Sequence, residues 1–501
     1  MTSTEAEAPR GARAHHRVII IGAGAGGICA GLKLREAGIE DYLILEKAPA
    51  PGGTWWYNRY PGAACDVPSH LYSFSFAVKR DWTGPYAGAR EILDYLVDCA
   101  ERGGVLPHIR CDTAVSAARW VDAHARWEVD TAAGGYSCDV LVAAQGMFNE
   151  PAWPELPGLA RFAGACFHTA RWDHAVPLAG RRVGVIGSAA SAVQCVPEVA
   201  RLAGTLTMFQ RTPNWVLPKN DRPYTREKLD YFRHAPDAVE QNRARLYPEF
   251  AGFALFEDPV RNQDTIAAAH ANLALVEDPA TRAKLTPDYA FGCKRVLLSS
   301  DFYPTFNRAN VSVVTETVRE VTQDGVITAD GAEHPLDVLV LATGFHVSRY
   351  LSSIEVTGRA GLRLADAWRD GAQAYLGITT AGFPNLFQLY GPNTNKGSIL
   401  FVIECQVAYL LRQLARMARD DLAWLDVRPE VMARYNADIQ RDCDAIRVWS
   451  APCNNYYRHP GSGRMVTQYP RHLSDYRKDT MRDDADAYLV GGRAARAATA
   501  R

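Results

Sequence analysis

The sequence predicts an α/β protein with two Rossmann-like dinucleotide-binding domains, the second interrupted by a helical insertion. Three observations carry this. The β-branched runs Arg17–Gly22 and Arg182–Gly187 each lead into a loop of small residues and then a helical pattern. Each helix is followed by another apolar strand, Tyr42–Glu46 and Thr205–Gln210, which completes a βαβ unit. From Thr225 to about Leu285 the pattern changes to helical charge spacing with few strand signals, which marks the insertion.

The first loop, Gly22-Ala-Gly24-Ala-Gly-Gly27, fits GxGxxG between strand and helix. The first glycine makes the turn, the second lets a pyrophosphate approach the backbone, and the third lets helix and strand pack closely. The helix start then turns its positive end towards phosphate. Glu46, closing the second strand, is placed to accept ribose hydroxyls. The second loop, Gly187-Ser188-Ala189-Ala-Ser191-Ala192, keeps the first glycine and replaces the other two by alanine. Arg211 stands at the same spacing after Gly187 as Glu46 does after Gly22. A carboxylate repels a 2′-phosphate and an arginine pairs with it bidentately, so the second unit reads as an NADPH site, with Ser188, Ser191 and Thr212 beside the phosphates.

Further along, Val311–Thr315 and Val338–Leu341 read as strands and Glu404–Met417 as a helix. The aromatic, loop-rich stretch Val448–Gly461 suits a mobile lid. Both tails, Met1 to about His15 and Ala485 onward, read as frayed. The composition is that of a globular protein with a large core, 48% hydrophobic and 22% charged. Lys+Arg of 55 against Asp+Glu of 56 argues against a nucleic-acid or membrane partner. No apolar run is long enough to span a bilayer, and no apolar signal core opens the chain. The 11 cysteines are scattered without a CxxC pair, which reads as reduced thiols in a cytoplasm.

Two nucleotide units need two roles: FAD in the first and NADPH in the second make a hydride relay. A disulfide reductase would need a cysteine pair beside the flavin, and the spacing offers none. Oxygen, a quinone or a protein remains as acceptor. The expected layout is a FAD domain in two parts, 1–145 and 346–501, the latter ending in lid and tail. The linker and NADPH domain occupy 146–222 and 291–345, with the insertion at 223–290.

Between the two units, Phe162-Ala-Gly164-Ala-Cys-Phe-His168-Thr-Ala-Arg-Trp172-Asp173 resembles the FxGxxxHxxxW(P/D) fingerprint of the Baeyer–Villiger monooxygenases, the class B flavoprotein monooxygenases. The resemblance covers almost the whole chain. Gly52-Gly53-Thr54-Trp55, Asn58–Gly62 and Cys65-Asp66 look like the family's second flavin segment, Lys294-Arg295 like its paired basic site, Leu341–Phe345 like its ATG strand end, and Gly391-Pro-Asn393 like its loop returning to the flavin. Phe209–Trp215 and Leu389–Asn395 are nearest the hydroxyacetophenone-type members. The resemblance implies NADPH- and O2-dependent conversion of a small ketone to an ester or lactone through a flavin C4a-peroxide. It assigns Arg295 as the charge beside the peroxide, Asp66 as the group that tunes it, and Lys294, Arg211 and Thr212 to the 2′-phosphate. His168 is implied to couple the domains rather than shuttle protons. The expected assembly is a monomer or homodimer.

The sequence also departs from the family's pattern. Gln145 replaces a common threonine, Ala189 and Ala192 replace loop glycines, Lys396-Gly397 alters an asparagine-rich loop, and Tyr456-Tyr457 stands where Trp-Tyr is common. Two other activities share most of these motifs, N- or S-oxygenation and a nucleotide-bound redox sensor without turnover; a ferredoxin-type or quinone reductase is a third alternative.

Overall fold

The first unit is organised around the strand Ala14–Ile21, whose apolar end is fully buried. It lies parallel between Tyr42–Leu45 and Gly134–Ala143, with Val18 opposite Tyr42 and Val140. A strand flanked on both sides and covered on both faces has no water-facing edge, which is why Val18–Ile21 carries no polar residue. The helix Ala25–Glu36 crosses one face. The computed structural model describes residues 13–253, 259–351, 353–451, 453 and 455–493.

The sheet continues through an antiparallel meander of Val115–Val121, Arg126–Thr131 and Gly134–Ala143. Leu386–Gln388 returns from the C-terminal half to pair in parallel with Gly134–Ala143. Asn385 fixes that return. Its amide donates to Asp139 O at 2.9 Å and Ala423 O at 3.0 Å and accepts from Leu425 N at 2.9 Å, and the residue is 1% exposed. The helix Ile399–Arg419, longer than the predicted Glu404–Met417, packs on Ala25–Glu36.

The second unit is a five-stranded sheet with Val311–Val314, Thr205–Phe209, Arg182–Ile186, Val338–Leu341 and Ala165–His168 side by side, each pair parallel. The helix Ala190–Leu202 covers it. The chain passes between the two sheets twice, and the two passages are joined. Ala152 N donates to Gly344 O at 2.8 Å, His346 N to Glu150 O at 2.9 Å, and Thr343 Oγ1 to Ala152 O at 2.6 Å. The predicted insertion is helical as expected, with Arg226–His234, Ala238–Phe253, Pro259–Leu273 and Pro279–Lys284.

Two expectations need correction. Residues 1–12 and 494–501, parts of the predicted tails, lie outside the described residues. The neighbouring stretches are ordered: Ala14 and His15 already pair with Tyr136 and Ser137, and Tyr488–Gly492 pairs antiparallel with Leu422–Val427. Arg428 N also bonds to Ala487 O, so backbone pairing, not end position, decides order here. The cysteines are not all reduced thiols. Cys293 and Cys453 form a disulfide across a sequence separation of 160, with their Cα atoms 6.4 Å apart. No CxxC signature marks this pair because folding, not spacing, brings it together.

Two histidines are buried without charge. His70, 1% exposed, is held by Asn242 at 2.8 Å and packs against Phe232. His168 is fully buried at the end of its strand, where its Nδ1 accepts from Ala170 N at 3.0 Å. Burial is the first cause in both cases and lowers each pKa from 6.5 to about 4. Arg243 adds to the lowering at His70, and the Gly344 backbone opposes it at His168.

Because both folded-state values lie below 6.5, the unfolded chain binds more protons between about 4 and 6.5. Stability is therefore expected to be full above that window and to fall as the pH drops through it. Thermal midpoints across the window measure this, and His70→Gln is expected to flatten part of the slope. In Asn385→Ala, three buried backbone groups lose partners, a loss on the order of 3 kcal/mol that a lowered thermal midpoint would register; an unchanged midpoint would show that water replaces the amide.

Candidate active site

Both glycine loops end at the start of a helix. Gly22 takes φ +103° and donates to Leu45 O at 2.8 Å; Gly187 takes φ +117° and donates to Phe209 O at 2.9 Å. Only glycine adopts these angles freely. The next turn position is Gly24, φ −80° and ψ −165°, in one unit and Ala189, φ −86° and ψ −161°, in the other. The two backbones follow one path, and alanine fits because the angle there is an ordinary extended one. Ala192 is fully buried. At Gly27, by contrast, a Cβ would lie 1.9 Å from Gly22 O. Neither helix has a side-chain cap or an acid in its first turn, so the leading N–H groups of both remain free for an anion.

Gly53 packs backbone to backbone on Gly24; a Cβ on Gly53 would lie 2.7 Å from Gly24 Cα. Gly52 N donates to Ala23 O at 2.9 Å. The predicted second flavin segment therefore lies against the first loop. Glu46 is 4% exposed, and its two oxygens accept from Ala23 N at 2.7 Å and Ala48 N at 2.8 Å. The carboxylate braces the loop.

A cavity of about 1400 Å³ opens between the two units. Its lining brings together Thr54, Trp55 and Asp66 from the first unit and Gly187, Ser188, Ser191, Arg211, Thr212, Lys294 and Arg295 from the second. Ser188 Oγ donates to Thr212 O at 2.8 Å, which ties the loop to the segment carrying Arg211. Lys294 Nζ lies 4.6 Å over the Tyr289 ring. Burial lowers its pKa first, and Arg211 lowers it further. Two cations facing one cavity wall, at the cost of mutual repulsion, match a phosphate.

Arg295 pairs with Asp66 through Nη2 and Oδ2. The arginine side chain is 38% exposed and the aspartate 24%, so the pair faces the cavity rather than the core. Asp66 is the leading cause that raises the Arg295 pKa above its ordinary value, keeping the guanidinium charged. Tyr456 lies within hydrogen-bonding reach of Arg295 and Asn395. Tyr390 OH donates to Asn395 Oδ1 at 2.6 Å, and Asn395 Nδ2 to Gln468 Oε1 at 2.6 Å. A polar chain thus leads from the guanidinium into the C-terminal segment.

Sequence reasoning missed several of these groups. Tyr390, Asn395 and Gln468 line the cavity, and so do Phe148, Phe345 and Trp449. Tyr390 has φ +58°, unusual for a bulky residue, and is held by Gln406 Oε1, which accepts from its N–H at 2.7 Å. Tyr60 and Gln194 also went unnoticed. Tyr60 OH donates to Gln194 Oε1 at 2.7 Å, and Gln194 Nε2 to Ala64 O at 2.9 Å, which seats the Asp66 loop on the second unit's helix. Gln194 belongs to no motif, and Tyr60 stands unmarked inside the Asn58–Gly62 stretch, since each matters only through a contact across the units.

Other predicted residues lie elsewhere. Asn393 is 2% exposed and does not line the cavity; its amide donates to Met465 O at 3.0 Å and Gln468 O at 3.1 Å. Among the fingerprint residues, Phe162, Gly164, His168, Trp172 and Asp173 also stand outside the lining. His168 packs on Trp153 and Phe345, both of which do line it, at ring distances of 5.7 and 5.8 Å. Tyr456 and Tyr457 line it directly.

Known proteins share this arrangement. A family profile described as pyridine nucleotide-disulphide oxidoreductase matches residues 19–243. A Baeyer–Villiger monooxygenase of Pseudomonas aeruginosa is 41% identical, over 96% of this chain and 92% of its own length. Cyclohexanone monooxygenase from Rhodococcus sp. Phi1 bound to NADP+ superposes with a TM-score of 0.85 at 32% identity, covering 96% of this chain and all (100%) of that one. OTEMO in complex with FAD and NADP gives 0.85 at 28% identity, covering 96% of this chain and 100% of its own. With identity of this level along nearly the full length of both chains, this protein belongs to the Baeyer–Villiger monooxygenase family.

Proposed function

We propose that this protein is a flavin monooxygenase that uses FAD, NADPH and O2 to convert a ketone into an ester or lactone. The observation that carries the reading is the Asp66–Arg295 pair in the wall of a cavity lined by the second glycine loop and by Thr54 and Trp55, which follow the Gly53 packed on the first loop. Two uncapped helix starts and the Arg211–Lys294 pair suit two dinucleotides, one with a 2′-phosphate. Bound FAD, reduced by NADPH, supplies the oxygen-activating chemistry.

The chain's own residues then have distinct tasks. The first unit, 1–145 with 346–501, holds FAD through Gly22, Gly24, Gly27, Glu46, Gly53, Thr54 and Trp55. The second, 146–222 with 291–345, holds NADPH through Gly187, Ser188, Ser191, Arg211, Thr212 and Lys294, and 223–290 is its insertion. Arg295 keeps a fixed positive charge where negative charge gathers on the oxygen atoms of the reacting ketone, and Asp66 orients it. Tyr456, Tyr457 and Trp449 close the cavity and keep water out. The aromatic lining and the hydroxyacetophenone-type stretches support an aryl ketone as substrate.

The direct experiment is anaerobic reduction by NADPH, followed by air and a panel containing cyclohexanone and 4-hydroxyacetophenone, with product analysis. Ester or lactone is expected; sulfoxide or N-oxide formation without ester would reassign the chemistry. In Arg295→Ala, flavin reduction by NADPH is expected to persist while ester formation falls at least ~100-fold, the scale of losing one fixed charge donor. An ester yield like that of the parent protein would remove Arg295 from the chemistry. In Arg211→Ala, KM for NADPH should rise ~10–100-fold, as for one charge-assisted contact, with little change for NADH. An equal effect on both nucleotides would overturn the phosphate assignment.

A further inference from the structure

The Cys293–Cys453 disulfide lies where two segments of the cavity wall meet. Cys293 directly precedes Lys294 and Arg295, and Cys453 shortly precedes Tyr456 and Tyr457. All four of these neighbours line the cavity. Between the two cysteines lie the rest of the second unit and most of the returning first unit, since the bond spans a sequence separation of 160. It is the one disulfide among the described residues; the other nine cysteines are free.

A second link runs beside it. Asn455 Nδ2 donates to Cys293 O at 3.0 Å, and Asn455 Oδ1 accepts from Tyr457 N at 2.9 Å. The same short segment also presents Tyr456 to Arg295. On its other side the segment is tied to the C-terminal turn, where Tyr457 O accepts from Val466 N at 2.8 Å and Arg458 Nη1 donates to Gly463 O at 2.7 Å. Among its described residues the one sheet-like pairing is the Arg458–Met465 bridge, and the short helix Arg447–Ser450 precedes it. A chain this irregular keeps its conformational freedom unless it is anchored. Cys293 is fully buried, whereas Cys453 is half-buried, so a reagent reaches the bond from the closing segment's side.

We propose that the Cys293–Cys453 disulfide is a positioning clasp that seats the Tyr456–Tyr457 segment on Arg295, so that efficient oxygen insertion depends on the redox state of this pair. With the bond closed, the phenols pack against the guanidinium and the cavity excludes water. With it open, Asn455 is the hydrogen-bonded link left between the segment and the Cys293 backbone, water gains access, and reducing equivalents from NADPH are lost as hydrogen peroxide. Formation of the clasp is balanced with that same by-product. Two thiols release two protons and two electrons as the S–S bond forms, and hydrogen peroxide takes them up as its O–O bond breaks, giving two waters. Uncoupled turnover would thus generate the oxidant that closes the clasp. The inference rests on the monooxygenase reading above.

The test uses the FAD-loaded full-length protein. Peptide mapping after alkylation, with and without prior reduction, is expected to find Cys293 and Cys453 joined. Treatment with an immobilised phosphine, removed before assay, is expected to lower ester formed per NADPH consumed about tenfold, within the range produced by an ångström-scale misplacement of a catalytic group. Released hydrogen peroxide should rise in step, while the anaerobic rate of flavin reduction by NADPH stays unchanged. Reoxidation with diamide should restore coupling. Cys453→Ser and Cys453→Ala should behave like the reduced protein and respond to neither reagent. Joined thiols with equal coupling in both states would overturn the clasp alone, and so would thiols that remain free after diamide. Absence of ester in either state would overturn the monooxygenase reading and the clasp with it.

Discussion

The Asp66–Arg295 pair joins a loop of the first unit to the segment that follows the insertion in the second, and the rest of the cavity is arranged around that junction. Both side chains are partly exposed, so their attraction is screened and adds little to the stability of the fold. Its importance is positional. A guanidinium is planar and permanently charged, and a carboxylate that takes one edge leaves the remaining N–H groups directed elsewhere. Here the remaining neighbours are Tyr390, Tyr456 and Tyr457, which act on the Arg295 charge. The loop carrying Asp66 is itself fixed from outside the first unit, because Gln194 of the second unit's helix bonds to both Tyr60 and Ala64. Gly62 approaches the Gln194 backbone so closely that a Cβ there would lie 2.4 Å from its oxygen. The charge pair therefore depends on the two units docking in one register.

The docking also explains why alanine is tolerated in the second loop. The methyl of Ala189 sits on a backbone whose angles match those of Gly24 within a few degrees. In the first unit, the second flavin segment lies directly on the loop, Gly53 against Gly24, and leaves no room for a methyl at 53. The second loop instead opens onto the shared cavity. Glycine is demanded where two backbones touch, and alanine suffices where a ligand and space lie opposite.

What could be read from the sequence follows from the range of the interactions. The two βαβ units, their loops and the basic position 211 are set by near neighbours, so pattern and spacing located them to within a residue or two. The helix from Ile399 was visible in its apolar face, although its ends were not. Partners distant in sequence were not legible. The strand Leu386–Gln388 has three residues and gains its place only by pairing with Gly134–Ala143. Tyr488–Gly492, whose sequence reads as a frayed tail, is ordered by the strand Leu422–Val427. The Cys293–Cys453 pair has no local signature. Asn393, which the motif assigns to the cofactor, stands outside the cavity lining, and its amide nitrogen holds the backbone of residues 465 and 468. In the site itself, the charges were legible because few chemistries need them, whereas the aromatic and amide side chains that orient them were not, because any core can use such residues.

The fingerprint residues pose a different question, since the stretch that resembles the family most specifically lies outside the cavity. Its strand, Ala165–His168, is the edge of the second sheet and pairs with Val338–Leu341, so that His168 sits opposite Leu341. Just beyond Leu341 the chain crosses back to the first unit, and the outward crossing at 150–152 is bonded to the same turn. His168 packs on one ring from each crossing, Trp153 and Phe345. A fully buried imidazole whose pKa has fallen to about 4 carries no proton to deliver near neutral pH. It packs against both crossings, and the rings it touches form part of the cavity wall. The motif therefore sits where both connections between the units pass, on the same side of the cavity wall as Trp153 and Phe345.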